Sequence, residues 1–310
     1  MPHRLASLYP LAALALTLLA GARADAAPPG GSGPKPAGTG AAARAPHKLS
    51  AGEYLPPSAL KPGMKGYGLT IFRGTKIEKF DVTILGVLRK ANNGRDLIFV
   101  RLGGPNMKRY TDVISGMSGS PVYINGKIVG AVAYGAQFTR EPLGYLTPIE
   151  DMLDAWDPAL PQLGGEGAKP PVPGAPSTPN ASPKEAAAAL PYPLRPLMTP
   201  VSLSGVPRAR FARWAGELEK LGLRAKMAPV GAAAAPGAGG AAKGSALLPG
   251  GAVAMSLATG DIDVSGIGTL TYRRDQRIVA FGHPFMGIGP ISAPMYTARI
   301  HDVQPSFSES

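Results

Sequence analysis

The dipeptide Asn125-Gly126 stands between Val122-Tyr123-Ile124 and Lys127-Ile128-Val129. A two-residue type I′ turn needs φ > 0 at both central positions, which Asn and Gly tolerate best. The segment is therefore read as a β-hairpin, and any fold of the chain must accommodate it. Strand-length runs rich in Val, Ile, Tyr and Phe surround it at Gly66 to Phe72, Phe80 to Leu88, Leu97 to Leu102, Pro121 to Ile124 and Ile128 to Tyr134. These residue types suit a pleated, half-buried surface. Asn92-Asn93-Gly94 supplies a turn between two of the runs. Five or six short strands at this spacing predict a barrel or sandwich. Pro148 to Leu153 reads as a short helix, with Thr147 as N-cap and Pro148 at N1.

The rest of the chain is less dense in core-forming residues. Of 310 residues, 41 are Gly and 34 Pro, yet 45% are apolar, so ordered parts are expected to alternate with loose ones. Residues 1–26 read as a signal peptide: Arg4 precedes an apolar stretch from Leu8 to Ala20, and Ala24-Asp25-Ala26 offers a small-x-small cleavage pattern. Residues 27–50 are a Gly/Ala/Pro leader expected to be disordered, and 51–160 hold the strands just described. A Pro/Ala/Gly linker at 161–195 precedes a small strand-helix unit at 196–228. There Val201 to Leu203 reads as a strand. Arg208 to Leu221 reads as an amphipathic helix, with Phe211, Trp214, Ala215, Leu218 and Leu221 on one face and Gly222 as its stop. After an Ala/Gly spacer at 229–249, strands resume in 250–310 through Met255, Ile267 to Tyr272 and Ile278 to Phe281, with a turn at Arg274-Asp275. Some 60 residues are thin for an independent barrel. Either this last segment is truncated or it completes its sheet with strands from elsewhere.

Several classes of function are excluded or disfavoured. The chain has no Cys, so no disulfide, Cys-ligated metal or Cys nucleophile is available. It has no HExxH, no phosphate-binding Gly-Lys-Ser/Thr loop and no histidines paired at ligand spacing, so no metal or cofactor is expected. The net charge of +12 is scattered, without interleaved aromatics, and reads as solubilising rather than as a nucleic-acid site. No integral membrane span is expected after signal removal.

Gly116-Met117-Ser118-Gly119-Ser120-Pro121 is the segment with the most chemical potential. A serine hydroxyl becomes a nucleophile when a base takes its proton and donors hold the developing oxyanion. Flanking glycines allow unusual dihedrals and leave room for a substrate carbonyl. The same residues also suit a tight loop into a strand. Of the four histidines, His3 lies in the signal, His47 in the leader, and His301 in no motif; His283 follows a strand in Ala280-Phe281-Gly282-His283-Pro284.

The stretch from Leu60 to Leu153 resembles the serine half of the SpoIVB peptidase family, sporulation-type signalling peptidases of the trypsin-like clan. The resemblance rests on Lys61-Pro62-Gly63, on the Gly-Met-Ser-Gly-Ser-Pro loop, on the strand pair Val122 to Val132, and on the Gly-Tyr-Leu-Thr-Pro-Ile-Glu-Asp-Met-Leu close at 144–153. The Gly266-Ile267-Gly268-Thr269 strand and the Gly282-His283 step resemble the family's histidine segment. The resemblance implies a mainly β fold of trypsin-like (chymotrypsin-type) β-barrel halves, here with a small α/β insertion and long disordered linkers. It implies Ser118 as nucleophile, His283 as general base, and the N–H groups of Gly116 and Ser118 as the oxyanion hole.

Two features depart from the family. The serine precedes the histidine, and the stretch where the family has an Asp-Pro step reads Gly103-Gly104-Pro105. Asp112, Asp261 and Asp263 are candidate orienters, each equally suited to a turn. The expected function is an exported serine endopeptidase of the periplasm or cell envelope, acting on protein or peptide substrates or cleaving itself. The alternative is a catalytically inactive peptidase-fold module that binds or scaffolds.

Overall fold

A computed structural model describes residues 49–108, 110, 113–136, 139–156, 194–220, 223–228, 247–285 and 291–303. The chain divides into two units, Met1–Ala45 and Pro46–Ser310, and every described residue belongs to the second. The expected signal peptide, nearly all of the leader, most of both linkers, the helix stop at Leu221-Gly222, and Asp112 lie outside the described residues.

Six strands follow one another along the chain: β1 (Lys65–Thr70), β2 (Glu78–Asn92), β3 (Arg95–Gly103), β4 (Pro121–Ile124), β5 (Lys127–Ala136) and β6 (Leu143–Pro148). They run in the order β4-β1-β2-β3-β6-β5, and β4 also pairs with β5. That last pairing closes an antiparallel barrel and removes both open edges. The hairpin read from Asn125-Gly126 joins β4 to β5, with φ of 52° and 75° at the two residues. The Asn93-Gly94 turn joins β2 to β3 in the same way, with φ of 49° and 83°.

Side-chain alternation along these strands builds the core. Phe80, Val82 and Ile84 of β2 meet Ile98, Val100 and Leu102 of β3, together with Val122, Ile124, Val129, Val132 and Leu146. Each fully buried Val, Leu or Ile contributes about 1.5–3 kcal/mol relative to exposure. Leu97, on the opposite face of β3, packs outside the barrel with Ala133, Tyr134 and Tyr145. The register shifts at Ile84/Gly86 in β2 and at Val132/Tyr134 in β5. Such bulges bend strands, as closing a small barrel requires.

β7 (Leu194–Pro196) pairs with β5. The chain then enters a second sheet made of β8 (Thr199–Ser204), β9 (Leu223–Met227), β10 (Ala252–Ala258), β11 (Asp263–Arg274), β12 (Arg277–Ala280) and β13 (Met295–Thr297). Its order is β13-β10-β11-β8-β9, with β12 also on β11. β8 and β9 are parallel, and helix α2 (Arg208–Lys220) makes the crossover that parallel pairing demands. The strands after residue 250 thus share their sheet with strands from 199–227. The fold is mainly β, with a closed six-stranded barrel and a second sheet, consistent with the two-barrel layout of trypsin-like peptidases.

Local expectations differ from the structure at a few points. Helix α1 (Ile149–Leu153) has Pro148 at its N-cap and no side-chain cap, because β6 runs on through Thr147 and Pro148. The Arg274-Asp275 turn sits one residue later, since β11 continues through Arg274 and Asp275 takes φ 54°. On α2, Phe211 and Leu218 pack on Val201, Leu203, Leu223 and Val264, but Trp214 is 37% exposed.

Candidate active site

The serine loop opens with a 3-10 turn, Ser115–Met117, which places Ser118 at its end with φ −52° and ψ 119°. The Ser118 N–H donates to Ser115 O at 3.2 Å and the Ser120 N–H to Met117 O at 2.8 Å. Gly119 then takes φ +92°. A Cβ there would lie 2.1 Å from Thr269 O and 2.4 Å from Phe281 N, so glycine is required both by dihedral and by space. From Pro121 the chain is β4, tied to β5 through Val132 N–H to Ser120 O at 3.0 Å.

The loop faces β11 of the second sheet. Thr269 N–H donates to Ser118 O at 2.8 Å, and its hydroxyl donates to Gly116 O at 3.0 Å. Thr271 hydroxyl donates to Gly119 O at 2.6 Å. Residues 269 and 271 share one strand face, while Gly266 and Gly268 on the other face lie against the rings of Phe285 and Phe281.

The histidine step follows β12. Phe281 has φ +67°, an outlier for an aromatic residue. Its ring is held 5.0 Å from that of Phe285, in a cluster with Val253 and Leu270. Its N–H donates to Thr269 O at 3.3 Å, and its carbonyl accepts the Ser118 hydroxyl. Gly282 has φ +70°, and its carbonyl accepts the Thr147 hydroxyl at 2.6 Å. At His283, Nδ1 lies 2.9 Å from Pro284 O, so Nδ1 carries the proton and donates. Nε2 is buried and has no hydrogen-bond partner among the described residues. Burial pushes the imidazole below its usual 6.5, opposed by the Pro284 carbonyl, so the ring is neutral at pH 7 with a lone pair on Nε2. The Tyr134 ring lies 6.4 Å away, centroid to centroid.

The structure thus brings Ser118 and the 281–283 step together, although 163 residues separate Ser118 from Phe281. The two side chains are not hydrogen-bonded to each other: the hydroxyl is on Phe281 O, and Nε2 has no partner among the described residues. Ser118 is fully buried, and of the two expected oxyanion donors its N–H is engaged within the 3-10 turn. Among the described residues no carboxylate is hydrogen-bonded to the ring. Asp263 accepts from Ser204 Oγ at 3.1 Å and Gly260 N–H at 3.3 Å, while Asp261 and His301 are exposed. No group of three or more His, Asp or Glu able to hold a metal occurs among the described residues.

The sequence marks Thr147 only as a helix cap and gives Thr269 and Thr271 no contact with the serine loop. Thr269 and Thr271 carried a signal in their i, i+2 spacing beside Gly266 and Gly268, which marks one strand face as polar and the other as open to close packing. Thr147 was masked by its resemblance to a helix cap.

No curated protein and no solved structure matches the chain. Residues 59–153 match the family model described as SpoIVB peptidase S55. The matched segment spans the barrel strands and the Ser118 loop and ends well before His283. This serine-bearing segment is thus similar to the SpoIVB peptidase S55 family.

Proposed function

We propose that the chain is an exported serine endopeptidase of the SpoIVB type in which Ser118 is the nucleophile and His283 its base. The observation that carries this reading is the seating of the serine loop on Thr269, Thr271 and Phe281, two residues before the histidine. A neutral imidazole with its Nδ1 proton held by Pro284 O has Nε2 free to accept a proton. For reaction, the Ser118 hydroxyl must leave Phe281 O and turn to Nε2. As Oγ bonds to the substrate carbonyl carbon, Nε2 takes the hydroxyl proton and then passes it to the leaving amine; water later hydrolyses the acyl-enzyme. The Ser118 N–H must also be released from Ser115 O to join Gly116 in holding the oxyanion.

The substrates are proteins of the envelope, or the chain itself at its Pro/Ala-rich linkers. Residues 1–26 direct export and are removed, and the boundaries read from composition separate the working parts. Sequencing the mature N-terminus after periplasmic fractionation checks this, with Ala27 expected first. Among the described residues no helix is long and apolar enough to cross a membrane.

A fluorophosphonate probe tests the chemistry. The full-length protein should be labelled and Ser118→Ala should not. No labelling of the wild type, together with unchanged processing in Ser118→Ala, overturns the proposal. A second reading, a non-catalytic binding or scaffold module, is favoured by the complete burial of Ser118. On that reading Ser118→Ala and His283→Ala leave the cellular role intact.

A further inference from the structure

Besides the Ser118 hydroxyl, three threonine hydroxyls among the described residues cross between the two halves of the site, and each ends on a backbone carbonyl. Thr269 and Thr271 reach from the second sheet to Gly116 and Gly119, on either side of Ser118. Thr147 reaches the other way, from β6 of the barrel to the carbonyl of Gly282, immediately before His283. Each sheet therefore holds the chemical segment carried by the other.

Thr147 is the most informative of the three. It precedes α1, where a threonine would ordinarily cap the helix. Instead Pro148 occupies the N-cap, α1 starts with no side-chain cap, and the Thr147 hydroxyl points to Gly282. Its backbone is held in the barrel wall: β6 pairs with β3 as far as Leu146, and with β5 through Thr147, which stands opposite Ala131. A β-branched side chain on a paired strand has few rotamers to lose, so the hydroxyl is a rigid strut. The carbonyl it holds belongs to a glycine at φ +70°, pressed against Val132 O, where a Cβ would come within 2.5 Å.

We propose that Thr147 is a positioning residue for His283, fixing through the Gly282 carbonyl the peptide that presents the imidazole to the serine loop. The inference deepens the peptidase reading and rests on it for its catalytic meaning, but the positioning itself has a readout independent of activity. The ring has Tyr134 beside it and Pro284 O on Nδ1, and the Tyr134 hydroxyl is taken by Asn92. A change in ring signals on altering Thr147 therefore reports movement of the 281–283 step.

The experiment uses the full chain with labelled histidine, which has four imidazoles; His283 is assigned by its loss in His283→Gln. Thr147→Val keeps the shape and removes the donor, Thr147→Ser restores it, and Thr139→Val removes a threonine–carbonyl bond in a turn to Glu141 O. Thr147→Val should move the His283 ring signals and their titration midpoint, whereas Thr147→Ser and Thr139→Val should leave them at wild-type positions. Fluorophosphonate labelling should slow roughly ten- to a hundredfold in Thr147→Val, in the limiting rate rather than in half-saturation, and recover to within about threefold in Thr147→Ser. Unchanged His283 signals in a folded Thr147→Val overturn the inference, whatever the labelling. An unlabelled wild type removes the peptidase reading and leaves the ring signals to decide positioning. If Thr147→Val does not fold, the weaker donor Thr147→Cys is read by the same signals, and no shift there overturns the inference.

Discussion

The serine-bearing barrel and the histidine-bearing sheet solve the same folding problem with unequal means. The barrel takes its six strands from one continuous stretch, Lys65–Pro148, pairs every edge, and fills its interior with a single apolar cluster. The second sheet gathers strands from either side of a spacer, ends on β9 and β13, and leaves Met227, Met295 and Tyr296 between 37% and 44% exposed. Its core is divided into two small clusters, around Val201 and around Phe281. A closed sheet of local hairpins satisfies its own backbone groups, whereas an open sheet leans on whatever packs against it. The histidine region therefore owes part of its order to the barrel, and the junction at the serine loop is where that dependence is concentrated.

Four measurements would break or sharpen this contrast. The largest effect is expected at the junction. Gly119→Ala drives a Cβ into Thr269 O and Phe281 N at φ +92°, and should cost about 4 kcal/mol or more in urea unfolding. A loss below about 1 kcal/mol would mean that the two halves are not tightly joined there. Next comes the core. Ile98→Ala, at a site with no exposure, should cost about 2–5 kcal/mol. Val264→Ala in the second sheet, at 9% exposure, should cost about 1–2 kcal/mol. Equal losses would erase the distinction between the regions.

The third is a pH dependence. Burial holds the His283 pKa below 6.5 in the folded chain, so the unfolded chain binds more protons wherever the two differ. The contribution is fully present above pH 6.5 and is lost as pH falls towards and through the folded value. Relative to His283→Gln, the midpoint of thermal unfolding of the wild type should therefore be lower at pH 5 than at pH 8. A pH-independent difference would show that the ring is not buried in solution.

The smallest effect concerns the outer tie between the regions. Glu53 accepts from Arg274 at 2.9 Å and from Tyr272 at 3.1 Å, and the Ser50 backbone N–H and hydroxyl bring its carboxyl down to about 2. Its contribution is present above pH 4.5 and lost as pH falls towards 2, a window separate from that of His283. Because the pair is solvent-exposed, Glu53→Gln should cost less than about 1 kcal/mol, and less still in high salt.

The barrel was legible in advance because its signals are local. Turns at Asn93-Gly94 and Asn125-Gly126 and alternating Val and Ile runs each act within a few residues. β6 was not recognised as a strand because Gly144, Thr147 and Pro148 interrupt the apolar alternation; β13 is short, and β9 carries Arg224 and Lys226. Thr147 was read as a helix cap for the same reason: a cap is a local pattern, while its actual partner lies 135 residues away.

Sequence alone was enough for the hairpins and the mainly β class, since turn chemistry and short-range periodicity carry those, while Ser118 and His283 entered as candidates through the family resemblance. Only the tertiary structure decided that strands 199–227 complete the histidine sheet, that the Ser118 hydroxyl rests on Phe281 O, and that threonines from opposite sheets lace the site together. Those contacts join residues from 59 to 163 positions apart, and their geometry depends on how two sheets pack. No window of sequence contains that information.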